Sequence, residues 1–153
     1  MPTLKETLQS DLTTAIRSRD ELTSATLRMA LTAVTTEEVS GKSARTLSDA
    51  EVMGVLTKEA KRRREAATAF TDARRPELAE RELAELGVLS GYLPEPLTVE
   101  EVTVMVGDVV AQLAAQGVTG MPAMGRAMKE LSPLTAGRFD GGQLAALVRA
   151  ALG

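Results

Sequence analysis

MPAMGRAMKELSPLTAGRFDGGQL, residues Met121 to Leu144, sets its glycines, methionines and basic residues in an order that plain helix packing does not require. Met121, Met124, Met128 and Leu131 recur at steps of three, four and three, so they fall on one face of a helix and leave Arg126, Lys129 and Glu130 off it. Ser132-Pro133 is expected to stop that helix, because proline disfavours helical backbone in the residue before it. Gly137-Arg138-Phe139-Asp140-Gly141-Gly142 then reads as a turn, with Asp140 placed to cap a helix carrying Leu144, Leu147, Val148 and Leu152. The stretch is helix, loop, helix, and the same periodicity extends upstream.

The rest of the chain supports an all-α protein. Of 153 residues, 44% are hydrophobic, enough to close a core, but only 2% are aromatic. The interior must therefore be built from Leu, Val, Ala and Met, which pack helix on helix. Only Val102 to Val110 is rich in β-branched residues, and its apolar positions fit a helical period better than strict alternation.

Four helices are expected before a boundary at Pro94. Leu4, Leu8, Leu12, Ala15 and Ile16 give the first an apolar face, with Thr3 as its cap. Leu27, Ala30, Leu31 and Val34 line the second, from about Leu22 to Ser40, and Gly41 sits where a left-handed terminating residue is wanted. Ser48-Asp49-Ala50-Glu51 is a capping box opening a long third helix to about Ala73. Pro76 suits the first turn of a fourth, which should bury Ala79, Leu83, Leu86 and either Leu89 or Ser90. Pro94 and Pro96 stiffen the chain and continue no helix. Thr98-Val99-Glu100-Glu101, a second capping box, opens helix five with Val102, Met105, Val106, Val109, Val110 and Leu113 inward, and Gly117 and Gly120 close it. The expected organisation is a four-helix domain over 1–93, a proline linker over 94–97 and a three-helix tail over 98–153.

Several chemistries are excluded. The chain has no cysteine and no histidine, which removes disulfides, thiolate nucleophiles, the commonest general base near neutral pH and the commonest transition-metal ligands. Neither a metal nor any other cofactor is expected. MPTLKETLQS lacks the basic region and apolar run of a signal peptide, and no apolar stretch approaches the roughly 18 residues of a membrane helix, so a cytoplasmic protein with no membrane partner is expected. The net charge is -3. There are 14 basic and 15 acidic residues through Pro94 and 4 against 6 after it, so any binding of a polyanion must be local.

Met124-Gly125-x-x-Met128, Gly137-Arg138-x-Asp140-Gly141 and the closing amphipathic helix resemble the tail domain of GatB, the tRNA-handling subunit of the glutamine-dependent amidotransferase, and the end of YqeY-like proteins. The resemblance continues in Thr26-Leu27-Arg28-Met29, in the run from Lys58 to Glu65 and in Tyr92-Leu93-Pro94, and its length and order are those of a free-standing YqeY-like protein. One departure is Leu134-Thr135-Ala136, where the family loop is usually richer in lysine. The resemblance implies a tRNA-associated module whose tail faces RNA through Arg126, Lys129 and Arg138. It also implies the family label of carbon-nitrogen ligase with glutamine as amide donor.

Residue chemistry gives two readings of the basic run. Lys58, Lys61, Arg62, Arg63 and Arg64 fill five of seven positions. Lys58, Lys61 and Arg62 share a face able to meet phosphates, while Glu59 with Arg63 and Lys61 with Glu65 fit a solvated face tied by ion pairs. Lys58 and Arg62 are the candidates to meet phosphate. Asp140, Gly137 and Gly141 read as turn and cap residues, and an Asp140 cap would occupy the amides that an anion needs. Gly41-Lys42-Ser43 lacks the earlier glycine of a phosphate-binding loop, since position 36 is Thr36. The adjacent carboxylates show no arrangement that would separate an acid from a base, Ser48 and Lys58 lie ten residues apart without a nucleophile loop, and no catalytic residue is assigned.

Three functions follow. The first is a noncatalytic module binding tRNA by shape and phosphate contacts, nearly indifferent to base sequence because it has few rings to stack on bases. The second is an interaction module for an amidotransferase or synthetase, with the methionine face as anchor. The third is the amidotransferase-linked ligase that the resemblance implies.

Overall fold

The computed structural model describes residues Met1–Gly153, which form seven α-helices and one 3-10 turn with no strand. The all-α expectation holds. The chain divides into two compact units, Met1–Leu93 and Pro94–Gly153.

The first unit holds α1 (Leu4–Arg17), α2 (Glu21–Glu38), α3 (Asp49–Asp72) and α4 (Pro76–Ser90). Local chemistry sets the starts. Thr3 with Glu6 and Ser48 with Glu51 form reciprocal capping boxes, Asp20 caps α2 through the Thr23 amide, and Pro76 enters α4 in its first turn. α1 and α3 end with Arg19 and Arg74 in the left-handed region, both at φ 59°, and the next amide in each case reaches five residues back, Asp20 to Ala15 and Arg75 to Phe70. α1 packs on α2 and α3 runs along α4. Leu8, Leu27, Leu56 and Leu89 are wholly withdrawn from water among Ala30, Val34, Val52 and Ala60. Full burial of a leucine contributes about 1.5–3 kcal/mol, so this cluster holds the unit together.

Three expectations for this unit are corrected. Gly41 is not left-handed: α2 ends earlier, and its terminal carbonyls are taken by the Ser40 amide and hydroxyl on Glu37 and by the Arg45 amide on Glu38. Leu83 is 52% exposed, and α4 buries Glu85 instead, with Ala79 and Leu89. Ile16 is exposed as well, because Leu8 and Ala15 carry the inward face of α1.

Buried Glu38 ties three segments. Its Oε1 accepts from Lys5 Nζ at 2.7 Å, and its Oε2 accepts from the Leu47 amide at 3.3 Å. The Lys5 hydrogen bond, ahead of the backbone bond, holds the carboxyl below its ordinary value of 4.5. A depressed folded value means that the unfolded chain takes up the proton first. The stabilisation is complete above about pH 4.5 and is lost as pH falls through the depressed value. Glu38→Gln should lose less stability than wild type between neutral pH and pH about 3. Urea midpoints at the two pH values measure this, and equal losses would remove Glu38 as a source of acid sensitivity.

The second unit holds α5 (Val99–Ala115), the 3-10 turn Met121–Ala123, α6 (Met124–Thr135) and α7 (Gly141–Leu152). Thr98 and Glu101 form the expected capping box. Val102, Val106, Val109 and Leu113 of α5 meet Ala127 and Leu131 of α6 and Leu144 and Val148 of α7. Gly117, at φ 79°, ends α5 as expected and lets the Val118 amide reach the Leu113 carbonyl at 2.9 Å.

Two expectations change here. Pro133 does not stop α6 but lies inside it, close enough to the end that its missing amide forfeits a single helical bond while the Thr135 hydroxyl returns to the Leu131 carbonyl at 3.1 Å. The inward stripe is Ala123, Ala127 and Leu131, with Met124 and Met128 half-buried beside it and Met121 56% exposed. Small alanines let the helices approach closely, so the methionines seal the flank rather than form the seam.

Candidate functional site

Helical phase sorts the basic run of α3. Val52, Leu56, Ala60, Arg63 and Ala67 point inward, which places Arg63 on the apolar stripe and leaves Lys58, Lys61, Arg62 and Arg64 outside. Lys58 and Arg62, one turn apart, enter a cleft of about 530 Å³ between α2 and α3. Across it Arg28, Thr32 and Thr36 follow each other at steps of four along α2. Met29, Ala33 and Val55 add apolar surface, and Glu37 and Glu59 are its carboxylates.

The cations are largely uncommitted. Arg28 and Lys58 make no ion pair or hydrogen bond with the rest of the chain. Arg62 touches Glu59 at 3.3 Å while its side chain stays 76% exposed, a contact that water screens. Most helical threonines return the hydroxyl to the carbonyl four residues back, as Thr26 does to Leu22 and Thr57 to Met53. Thr32 and Thr36 do not, so both keep a donor for an occupant of the cleft.

Arg63 has a different task. It is 4% exposed, donates through Nη1 to Glu59 Oε2 at 2.8 Å and to the Glu59 carbonyl at 3.1 Å, and through Nε to Glu85 Oε2 at 3.2 Å. Its Nη2 has no partner in the chain. The expected pair between Glu59 and Arg63 is therefore present, but as part of a buried link between α3 and α4.

The tail candidates lie in the second unit. Arg126 and Lys129 are exposed on α6, with Arg126 Nη2 donating to Gln116 Oε1 at 3.2 Å. Arg138 is a brace: its Nε donates to the Glu95 carbonyl at 3.0 Å, and its own carbonyl accepts the Leu97 amide at 2.8 Å. Gly137 at φ 74° makes that turn possible, and the Arg138 and Phe139 amides both return to the Thr135 carbonyl. Asp140 accepts the Gln143 amide at 3.0 Å, the cap expected of it. Gly141 has open space where a Cβ would stand, so packing does not require glycine there.

Sequence reasoning passed over Arg28 as a site residue and missed Glu85. The spacing of Arg28, Thr32 and Thr36 beside the apolar stripe of α2 was the available signal for the first. The Ser48 hydroxyl accepts the Glu51 amide, no three or more Asp or Glu gather as a metal site, and no helix is long and apolar enough to cross a membrane. The cleft brings three cations, two hydroxyls and an apolar strip together on the first unit.

A family model described as Yqey-like protein matches residues 5–152. An uncharacterized protein of Schizosaccharomyces pombe is 32% identical over 96 residues, covering 62% of this chain and 76% of the relative.

Proposed function

Since the chain belongs to the Yqey-like protein family, we propose that it is a noncatalytic tRNA-associated module, related to the tail of the glutamine-dependent tRNA amidotransferase, that binds RNA through local phosphate contacts. The observation that carries the reading is the cleft of α2 and α3, where Arg28 and Lys58 have no carboxylate partner in a chain of net charge -3. Unpaired cations carried on two packed helices have their backbone positions set before binding, so only side-chain freedom is lost when they meet a polyanion. Arg126 and Lys129 offer a second, weaker pair on α6.

The test is binding of purified protein to total tRNA at low and moderate salt. Each neutralised phosphate contributes about -0.7 to -0.9 to the slope of log affinity against log salt, so the cleft gives a slope of about -1 when its cations share one phosphate and at most about -3 when each meets its own. The Lys58→Glu with Arg62→Glu variant should lose most of that slope and at least about tenfold in affinity, since two attractions become repulsions. The Arg126→Ala, Lys129→Ala, Arg138→Ala variant should lose less. If the reversed pair binds like wild type, the cleft is not the site; if wild type does not bind at low salt, the RNA reading falls.

A protein partner, an amidotransferase or synthetase, is the second reading. Met121 and Leu134 favour it, each 56% exposed on the second unit. A pull-down that survives RNase would give it the lead.

A further inference from the structure

We propose that the cleft between α2 and α3 receives an unpaired nucleotide of an RNA chain rather than the outer phosphates of a double helix. The inference rests on the RNA reading above and names which part of the RNA enters. Two helices in packing contact have axes about 8–10 Å apart, too close for a duplex to descend between them. A duplex would meet Arg28, Lys58 and Arg62 at the rim and leave Met29 and Val55 facing water, although Met29 is already 46% exposed and part of the lining. A volume of about 530 Å³ belongs to the size class of small-ligand clefts, which suits one nucleotide.

Each part of a nucleotide then has a chemical counterpart. The phosphate meets the three cations. The base lies on Met29, Ala33 and Val55, where a polarizable thioether and methyl groups accept a flat ring without selecting among bases. The hydroxyls of Thr32 and Thr36, not returned to their own helix, face sugar and phosphate oxygens. Glu37, on the last turn of α2, accepts from an amino or hydroxyl group and repels a second phosphate at that end. A lining of three cations and two carboxylates, one of which already pairs with Arg62 and Arg63, fits one phosphate beside hydroxyl and amino groups. No ring lines the cleft, so it separates unpaired from paired chain and is nearly blind to base identity.

The experiment uses the full chain and two RNA hairpins of identical stem, one blunt and one with a short unpaired 3′ extension, measured by fluorescence anisotropy at fixed salt. The extended hairpin should bind about tenfold more tightly, a difference of about 1.4 kcal/mol. Met29→Glu, at an exposed position that folding tolerates, should bring the ratio of the two affinities close to one. Equal binding of the two hairpins by wild type would overturn the inference and leave the RNA reading standing. Absence of binding by both would overturn both. A free mononucleotide that binds as tightly as the extended hairpin would overturn the assignment to an RNA chain. If poly-glutamate displaced the extended hairpin at matched charge, the cleft would belong to an acidic protein segment and the inference would fall.

Discussion

Replacing Arg63 with alanine is expected to destabilise the first unit by about 3–5 kcal/mol, several times the cost of breaking an exposed pair. The reason is what remains behind. Glu85, 5% exposed, would keep a buried carboxylate without its Arg63 Nε donor at 3.2 Å, leaving only Arg81 at 3.6 Å from a largely exposed side chain. The link is also imperfect, because Arg63 Nη2 is buried without a partner. Replacing Arg63 and Glu85 by apolar residues of similar volume, Arg63→Met with Glu85→Leu, should cost clearly less than Arg63→Ala, since desolvation of both ions is avoided and Glu59 keeps Arg62. Urea unfolding of the two variants tests the pair of outcomes. A cost below about 1 kcal/mol for Arg63→Ala would mean that the buried pair behaves like a surface one. The change has a functional arm as well: Glu59 accepts from both Arg63 and Arg62, so losing the buried partner leaves Glu59 to Arg62 alone, and under the proposed RNA reading this should weaken binding.

Leu131→Ala should cost about 2–5 kcal/mol in the second unit. Leu131 is fully buried in the cluster that holds Val106, Leu113 and Leu144, and the inward residue one turn before it on α6 is Ala127, too small to fill the void. A unit of this length has only about 3–9 kcal/mol of stability at the usual 0.05–0.15 kcal/mol per residue, so the loss takes a large share of it. Hydrogen exchange should show amides of α5, α6 and α7 losing protection while those of α1 to α4 keep theirs. Equal loss in both units would show that they unfold as one cooperative body.

Helix starts were legible because capping is written in adjacent residues: Thr3 with Glu6, Ser48 with Glu51, and Thr98 with Glu101 each declare a boundary by short-range chemistry. Helix ends were less so. Gly41 was read as a left-handed stop when Arg19 and Arg74 take that backbone instead, because a few favourable i to i-5 hydrogen bonds outweigh the modest strain of a side chain there. Pro133 was read as a stop, yet near a helix end proline removes one hydrogen bond and little else. Phase assignment failed where large residues drew attention from small ones. Met121 and Leu83 look like core by hydropathy, while Ala123, Ala127 and Glu85 occupy the inward positions.

The candidate site was half legible for a related reason. Lys58 and Arg62 follow from charge density on one helix, but a cleft needs its second wall, and the pairing of α2 with α3 is a tertiary fact that no local pattern encodes. Arg63 belonged to the same run as Lys58 and Arg62. Its phase, on the line of Leu56, Ala60 and Ala67, separates it from them. Where a charged residue keeps step with an apolar stripe, a buried partner should be sought on the facing helix.

Tyr92 is the single tyrosine of a chain without tryptophan, and its hydroxyl donates to Asp11 Oδ2 at 2.6 Å. Burial, then that hydrogen bond, raises the phenol above its ordinary value of 10, so it remains protonated in mildly alkaline solution. A phenol bound to a carboxylate emits weakly, and the bond joins residues 81 positions apart in the first unit. The molecule thus carries its own lamp, dim while α1 and the end of α4 stay together and brighter once they part. Its light reports on the first unit alone, so the unfolding of that unit can be followed without a label.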